Sequence, residues 1–90
     1  MDEARVKRAR LRAWRRGFRE ADLILGPFAD ARVESMNETE LASFERLLEA
    51  NDHDLYGWIV GGAPPPAELD DGVFAALKES AWFGLAARRG

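Results

Sequence analysis

Residues 14–20 read WRRGFRE, and they gather the side chains of this chain best suited to recognition chemistry. Arg15, Arg16 and Arg19 offer guanidinium donors, Glu20 a carboxylate four positions after Arg16, and Phe18 an apolar anchor. Between them stands Gly17, with no side chain at all. A glycine inside a helical pattern costs about 1 kcal/mol against alanine, so its presence asks for a gain. Two readings compete. In the first, Gly17 ends a helix or lets two helices approach, and Arg16 with Glu20 forms a surface ion pair worth about 0.2–0.5 kcal/mol. In the second, Gly17 leaves bare backbone flanked by opposite charges, with Phe18 projecting, which is the layout of a protein-docking hot spot. The residues alone favour the first. If the segment does dock, Glu20 and Asp22 would repel a polyanion, so the mixed charge suits a protein surface.

Other candidate chemistry is thinner. His53, the only histidine, lies between Asp52 and Asp54, a trio that could pass protons but that more simply starts a helix. Without cysteine there is no disulfide, no thiolate metal site and no thiol nucleophile. Asp70-Asp71 and the glutamates after residue 37 do not repeat at metal-ligand spacing and read as solvated surface. No catalytic residue and no metal ligand emerges, and an enzyme is not expected. Trp82, Phe83 and Leu85 read as a loosely packed tail.

Charge is segregated along the chain. Residues 1–19 hold Arg5, Lys7, Arg8, Arg10, Arg12, Arg15, Arg16 and Arg19 against Asp2 and Glu3. From Glu20 to Glu79 fourteen acids face only Arg32, Arg46 and Lys78. This polarity favours attraction between the first helix and the rest, and leaves a basic edge for an acidic partner. It also raises a reading in another class, a nucleic-acid-associated regulator that binds through the arginine-rich helix 1. No helix-turn-helix or aromatic RNA-binding signature accompanies it, and Asp2 and Glu3 argue against a transit peptide. A partner-inhibiting, antitoxin-like bundle would differ from any other protein-docking bundle only in its partner.

The elements that must hold these residues are helical. Ninety residues make a single domain that buries roughly 60–65% of its unfolded surface. No period-2 alternation suggests strands. Small and apolar residues at Val6, Ala9, Ala13 and Gly17, with Leu11, Trp14 and Phe18 on a neighbouring stripe, predict helix 1 over 3–17. Ala21, Ile24, Leu25 and Phe28 predict helix 2 over about 18–30, bent by Pro27. Asn37 with Glu40 makes a capping box, flanked by Met36 and Leu41 at staple positions, and opens helix 3, whose buried stripe is Leu41, Phe44, Leu47 and Leu48, to about Ala50. Asp52 is the expected cap of helix 4, with Leu55, Trp58 and Ile59 inward and Gly61-Gly62 as its stop. Pro64–Pro66 preset helix 5, marked by Leu69, Val73, Ala76 and Leu77. The expected architecture is an all-α compact five-helix bundle over 1–81, with two of the three tryptophans in its core and 82–90 a flexible tail. No apolar run reaches the about 20 residues a membrane span needs, and a soluble cytoplasmic monomer is expected.

These residues resemble the SdhE family, the succinate dehydrogenase flavinylation factors. The RGxxE signature stands as Arg16, Gly17 and Glu20, preceded by Trp14 and Arg15 and followed by Asp22, Pro27 and Phe28. A second block, LLEANDHDLYGWIVGGAP, matches at Leu47, Leu48, Asp52, Asp54, Leu55, Trp58, Gly62 and Pro64, so the resemblance spans about residues 5–77. GAPPP is richer in proline than the family pattern, and WFGLAARRG lies outside it. The resemblance implies a chaperone-like assembly factor that binds the flavoprotein subunit of succinate dehydrogenase, and in some bacteria of fumarate reductase, and promotes covalent attachment of FAD there. It implies no stably bound cofactor in this chain. Its partner-binding residues would be Arg16, Gly17, Phe18, Arg19, Glu20 and Asp22, helped by Asp52 and Asp54 at the start of helix 4.

Overall fold

Apolar spacing near 3.6 residues, broken by caps and turns, decides where this chain coils. The computed structural model describes residues 3–15 and 19–89, for 82–89 the backbone alone. The described residues form α1 (Glu3–Trp14), α2 (Arg19–Arg32), a 3-10 turn (Val33–Ser35), α3 (Glu38–Leu48), α4 (Asp52–Ile59), a second 3-10 turn (Ala67–Leu69) and α5 (Gly72–Arg89). No strand occurs among them, and the expected all-α five-helix fold is the one observed. A Cα radius of gyration of 12.3 Å matches the roughly 12 Å of a compact chain of this length and excludes an extended coiled coil.

α2 is the central element, packed against α1, α4 and α5, while α3 lies against α1 and α5. Its buried face is Ala21, Ile24, Leu25, Phe28 and Ala29. Pro27 sits inside the helix without ending it, and α2 runs two residues past its expected end at Asp30. The proline removes one N–H, leaving the carbonyl four residues back without its helical donor. Pro27 lies on the exposed face, where water can serve that carbonyl.

α1 presents Ala9 and Ala13, both buried, to the core, and side chains this small let the helix axis approach its neighbours closely. At α3 the capping box forms as expected. Asn37 Oδ1 accepts from the Glu40 N–H at 2.8 Å, and Glu40 Oε1 accepts from the Asn37 N–H at 3.0 Å. Met36 and Leu41 are both buried in the core beside it. Phe28 of α2 and Phe44 of α3 meet at the centre with ring centroids 5.6 Å apart.

Four expectations are corrected. The cap of α4 is Asn51, not Asp52: Asn51 Oδ1 accepts from the His53 and Asp54 N–H groups at 2.9 and 3.3 Å, and Asp52 becomes the first helical residue. An asparagine caps as well as an aspartate, so the sequence offered two adjacent candidates of equal chemistry. The prolines lead into the 3-10 turn, which carries Leu69; α5 starts later, at Gly72. Asp71 is not idle surface. Its Oδ1 accepts from the Val73 and Phe74 N–H groups at 3.1 Å, and its Oδ2 accepts from the buried Ser43 hydroxyl of α3. Finally, neither tryptophan whose side chain is described fills the core: Trp14 is exposed and Trp58 only half-buried, while Phe28, Phe44 and Phe74 take that place. The backbone of α5 runs through Arg89. Gly62, at φ 79°, adopts the left-handed conformation that stops α4, as expected.

Candidate functional site

The candidate site lies where α1 gives way to α2. The last turn of α1 closes with the Arg15 N–H donating to the Arg12 carbonyl at 3.3 Å, and α2 begins at Arg19. Arg16, Gly17 and Phe18 lie outside the described residues, and with them the backbone notch and the Arg16–Glu20 pair. Around them the described flanks are clear. Ala13 and Ala21 are buried on either side, whereas Arg15, Arg19 and Glu20 are exposed and Asp22 is half-buried. The helix phase that sinks the alanines thus turns three charges of both signs outward.

Of the two helix 4 residues expected to assist, one joins this region. Asp52 lines a cleft of about 450 Å³ with Leu11, Arg12, Arg15, Leu48, Ala50 and Asn51. The cleft therefore sets an α4 carboxylate opposite the guanidinium-bearing Arg12 of α1 and Arg15 just after it. Asp54 is exposed on the same first turn of α4 but is not among the residues lining the cleft. His53 is exposed, its N–H bound to the Asn51 cap, which is the helix-start role expected of it. Among the described residues no group of three or more His, Asp or Glu side chains is placed to hold a metal ion. No helix searched among them is long and apolar enough to cross a membrane.

Three side-chain arrangements fix the orientation of α1, and sequence reasoning found none of them residue by residue. Arg5 Nε donates to both carboxylate oxygens of Glu45, at 3.0 and 3.1 Å, Nη2 donates to Glu45 Oε1 at 2.7 Å, and Nη1 pairs with Glu38. These bonds stabilise both charged forms: the guanidinium is held above its ordinary value by Glu45 and then Glu38, and the Glu45 carboxyl below its own chiefly by Arg5. On the other flank Arg10 Nη2 reaches Asp30 at 3.3 Å and Nη1 reaches Glu34 at 3.1 Å. α1 is thus tied to α3 on one side and to α2 with its following turn on the other. The segregated charge of the sequence is spent in part on these internal pairs, as its polarity suggested.

The third arrangement is Trp14 against Gly26. A Cβ built on Gly26 would stand 2.6 Å from Trp14 Cε3 and closer still to Cδ2 and Cε2, so the indole occupies the space a side chain would need. Its Nε1–H donates to Asp30 Oδ2 at 3.2 Å. The last residue of α1 is thereby clamped to α2 two residues before residue 16. No local signal announces this pairing: a glycine within a helix and a tryptophan twelve positions away are each compatible with many different packings.

Comparison with known proteins places these features in a family. A family model described as flavinator of succinate dehydrogenase matches residues 7–81, from within α1 into α5. The chain is 38% identical over 65 residues to a protein of Acetobacter pasteurianus named FAD assembly factor SdhE, covering 72% of this chain and 60% of that one. It is 41% identical over 58 residues to the protein of the same name in Yersinia pseudotuberculosis, covering 63% and 66%. The mitochondrial succinate dehydrogenase assembly factor 2 of Penicillium rubens is 35% identical over 85 residues, covering 88% of this chain and 27% of the fungal protein. The chain spans between about a quarter and two thirds of the length of these relatives. With a model match over most of its length, this chain belongs to the family of flavinators of succinate dehydrogenase.

Proposed function

We propose that this protein is an assembly factor, not an enzyme, that binds the flavoprotein subunit of succinate dehydrogenase, or of fumarate reductase, and promotes covalent attachment of FAD to that subunit. The observation that carries the reading is the family match over residues 7–81, which includes Arg16, Gly17 and Glu20 in the RGxxE arrangement. The names of the bacterial and fungal relatives point the same way. The exposed, mixed-charge flanks of the α1–α2 link agree with a protein partner.

In this reading the flavin bond forms within the flavoprotein, on a residue of that subunit, and FAD has no stable site on this chain. The factor acts by population shift. Binding the arrangement of the flavoprotein competent for attachment more tightly than the others raises its fraction by the ratio of the two affinities. Gly17 lets the backbone approach the partner closely; Arg16, Arg19, Glu20 and Asp22 supply charge-assisted hydrogen bonds, and Phe18 apolar contact. Asp52 and Asp54 extend the surface onto α4. The factor works as a cytoplasmic monomer.

The test is the flavin fluorescence of the denatured flavoprotein subunit, isolated from cells with and without this protein. Covalent flavin should rise when the protein is present, and equal fluorescence in both would remove the proposal.

A further inference from the structure

α1 carries two large apolar side chains in solvent, Leu11 at 50% and Trp14 at 40% exposure. Lys7, Leu11 and Trp14 follow one another at spacings of four and three, so they form one stripe, on the side of the helix away from buried Ala9 and Ala13. Leu11 stands as a ridge between two depressions. One is the 450 Å³ cleft that it shares with Arg12 and Arg15; the other, of about 250 Å³, is lined by Lys7, Arg10, Leu11, Trp14 and Asp30.

The charge around that ridge is mainly positive, although Asp30 lines one depression and Asp52 the other. The ion pairs of α1 engage Arg5 and Arg10, whose acids lie on α2, α3 and the intervening turn. Lys7, Arg8, Arg12 and Arg15 are turned to solvent on the remaining face. A polyanionic backbone would match those charges yet leave Leu11 unused. A polypeptide with both acidic and large apolar side chains matches both.

We infer that the outer face of α1 is a second docking surface, adjoining the α1–α2 link at the cleft that Arg15 and Asp52 line, for an acidic segment of the flavoprotein partner that sets an aliphatic or aromatic side chain against Leu11 and Trp14. This rests on the flavoprotein being the partner. Carboxylates of the segment pair with Lys7 on one side of the ridge and with Arg12 and Arg15 on the other. The packing of Trp14 on Gly26 and its hydrogen bond to Asp30 position the indole beside Leu11 before a partner arrives, which lowers the ordering cost of binding.

The experiment is calorimetric titration of the apo flavoprotein subunit with the wild-type protein, Leu11→Ser, the double variant Lys7→Glu/Arg12→Glu, and Glu20→Ala, at low and high salt. Leu11→Ser should weaken binding about tenfold at both salts, as loss of an apolar anchor does. The charge-reversed variant should weaken it at least as much at low salt and less at high salt. Both substitutions fall on exposed side chains, and thermal melts at wild-type temperature confirm the fold. If both bind like wild type while Glu20→Ala does not, the second surface is overturned and the proposed function stands. If the wild-type protein does not bind the flavoprotein, both fall. Salt-steep binding of a mixed-sequence DNA duplex, abolished by the charge reversal and indifferent to Leu11→Ser, would also overturn it, making this a phosphate-binding face.

Discussion

Trp14 covers Gly26: the indole of the last α1 residue rests where any β-carbon of α2 would stand, and its Nε1–H is anchored on Asp30. Packing this close joins the two helices that flank the candidate site, and makes the glycine a requirement of tertiary structure rather than of backbone conformation.

Gly26→Ala should therefore destabilise the protein. Alanine gains about 1 kcal/mol of intrinsic helix propensity. Overpacking against a tethered ring typically costs about 1–3 kcal/mol, and we expect the net change to be a loss. In a Trp14→Ala background the ring is gone and the same substitution should stabilise. A double-mutant cycle by urea denaturation reads this reversal of sign, and a stabilising effect in both backgrounds would refute the packing account.

Asn51→Ala should cost about 1 kcal/mol, the usual loss of an N-cap side chain, whereas Asp52→Asn should change stability by only a few tenths. Thermal melts of the two variants distinguish the observed cap from its acidic neighbour. A larger loss at position 52 would contradict the Asn51 hydrogen bonds.

Acid should loosen the tie between α1 and α3. The Glu45 carboxyl is lowered in the folded protein, chiefly by its hydrogen bonds to Arg5, so the unfolded chain takes up this proton first. Its stabilisation is complete above the ordinary glutamate value, about 4.3, and is lost as pH falls through the lower folded value. Glu45→Gln should flatten the decline in melting temperature below about pH 4.5. An unchanged acid profile would show that the pair contributes nothing to folding.

Glu20→Ala and Gly17→Arg should leave the fold intact yet fail to raise covalent flavin in the flavoprotein. Glu20 is exposed, so its loss removes no core contact. Circular dichroism checks folding and in-gel flavin fluorescence checks function. Normal flavinylation by both variants would move the partner surface away from the α1–α2 link.

Much of the fold was legible in the sequence because the signals were local. The capping box of Asn37 and Glu40, the stripe of Leu41, Phe44, Leu47 and Leu48, and the left-handed Gly62 all act within a few residues, and each appears as expected. Of the candidate site, the surface position of Glu20 agrees with the sequence, and the two motif blocks pointed to the family that the comparison shows. Periodicity gave out where two candidates were chemically equal, as at Asn51 and Asp52. It also failed where apolar character was mistaken for burial: Trp14 is large and apolar enough for a core, yet it lies exposed over Gly26, while the small Ala9 and Ala13 take the buried face of α1.

Sequence by itself determined which segments coil, the segregation of charge and the family signature, all of which depend on neighbours three or four positions apart or on the order of residue types. Only the tertiary structure decided that Arg5 reaches Glu45 forty residues away, that Asp71 joins Ser43 to the start of α5, and that Trp14 lies on Gly26. Such pairs are chosen by how helices stack, where small side chains permit close approach and unlike charges come within reach, and spacing along the chain carries no record of that choice.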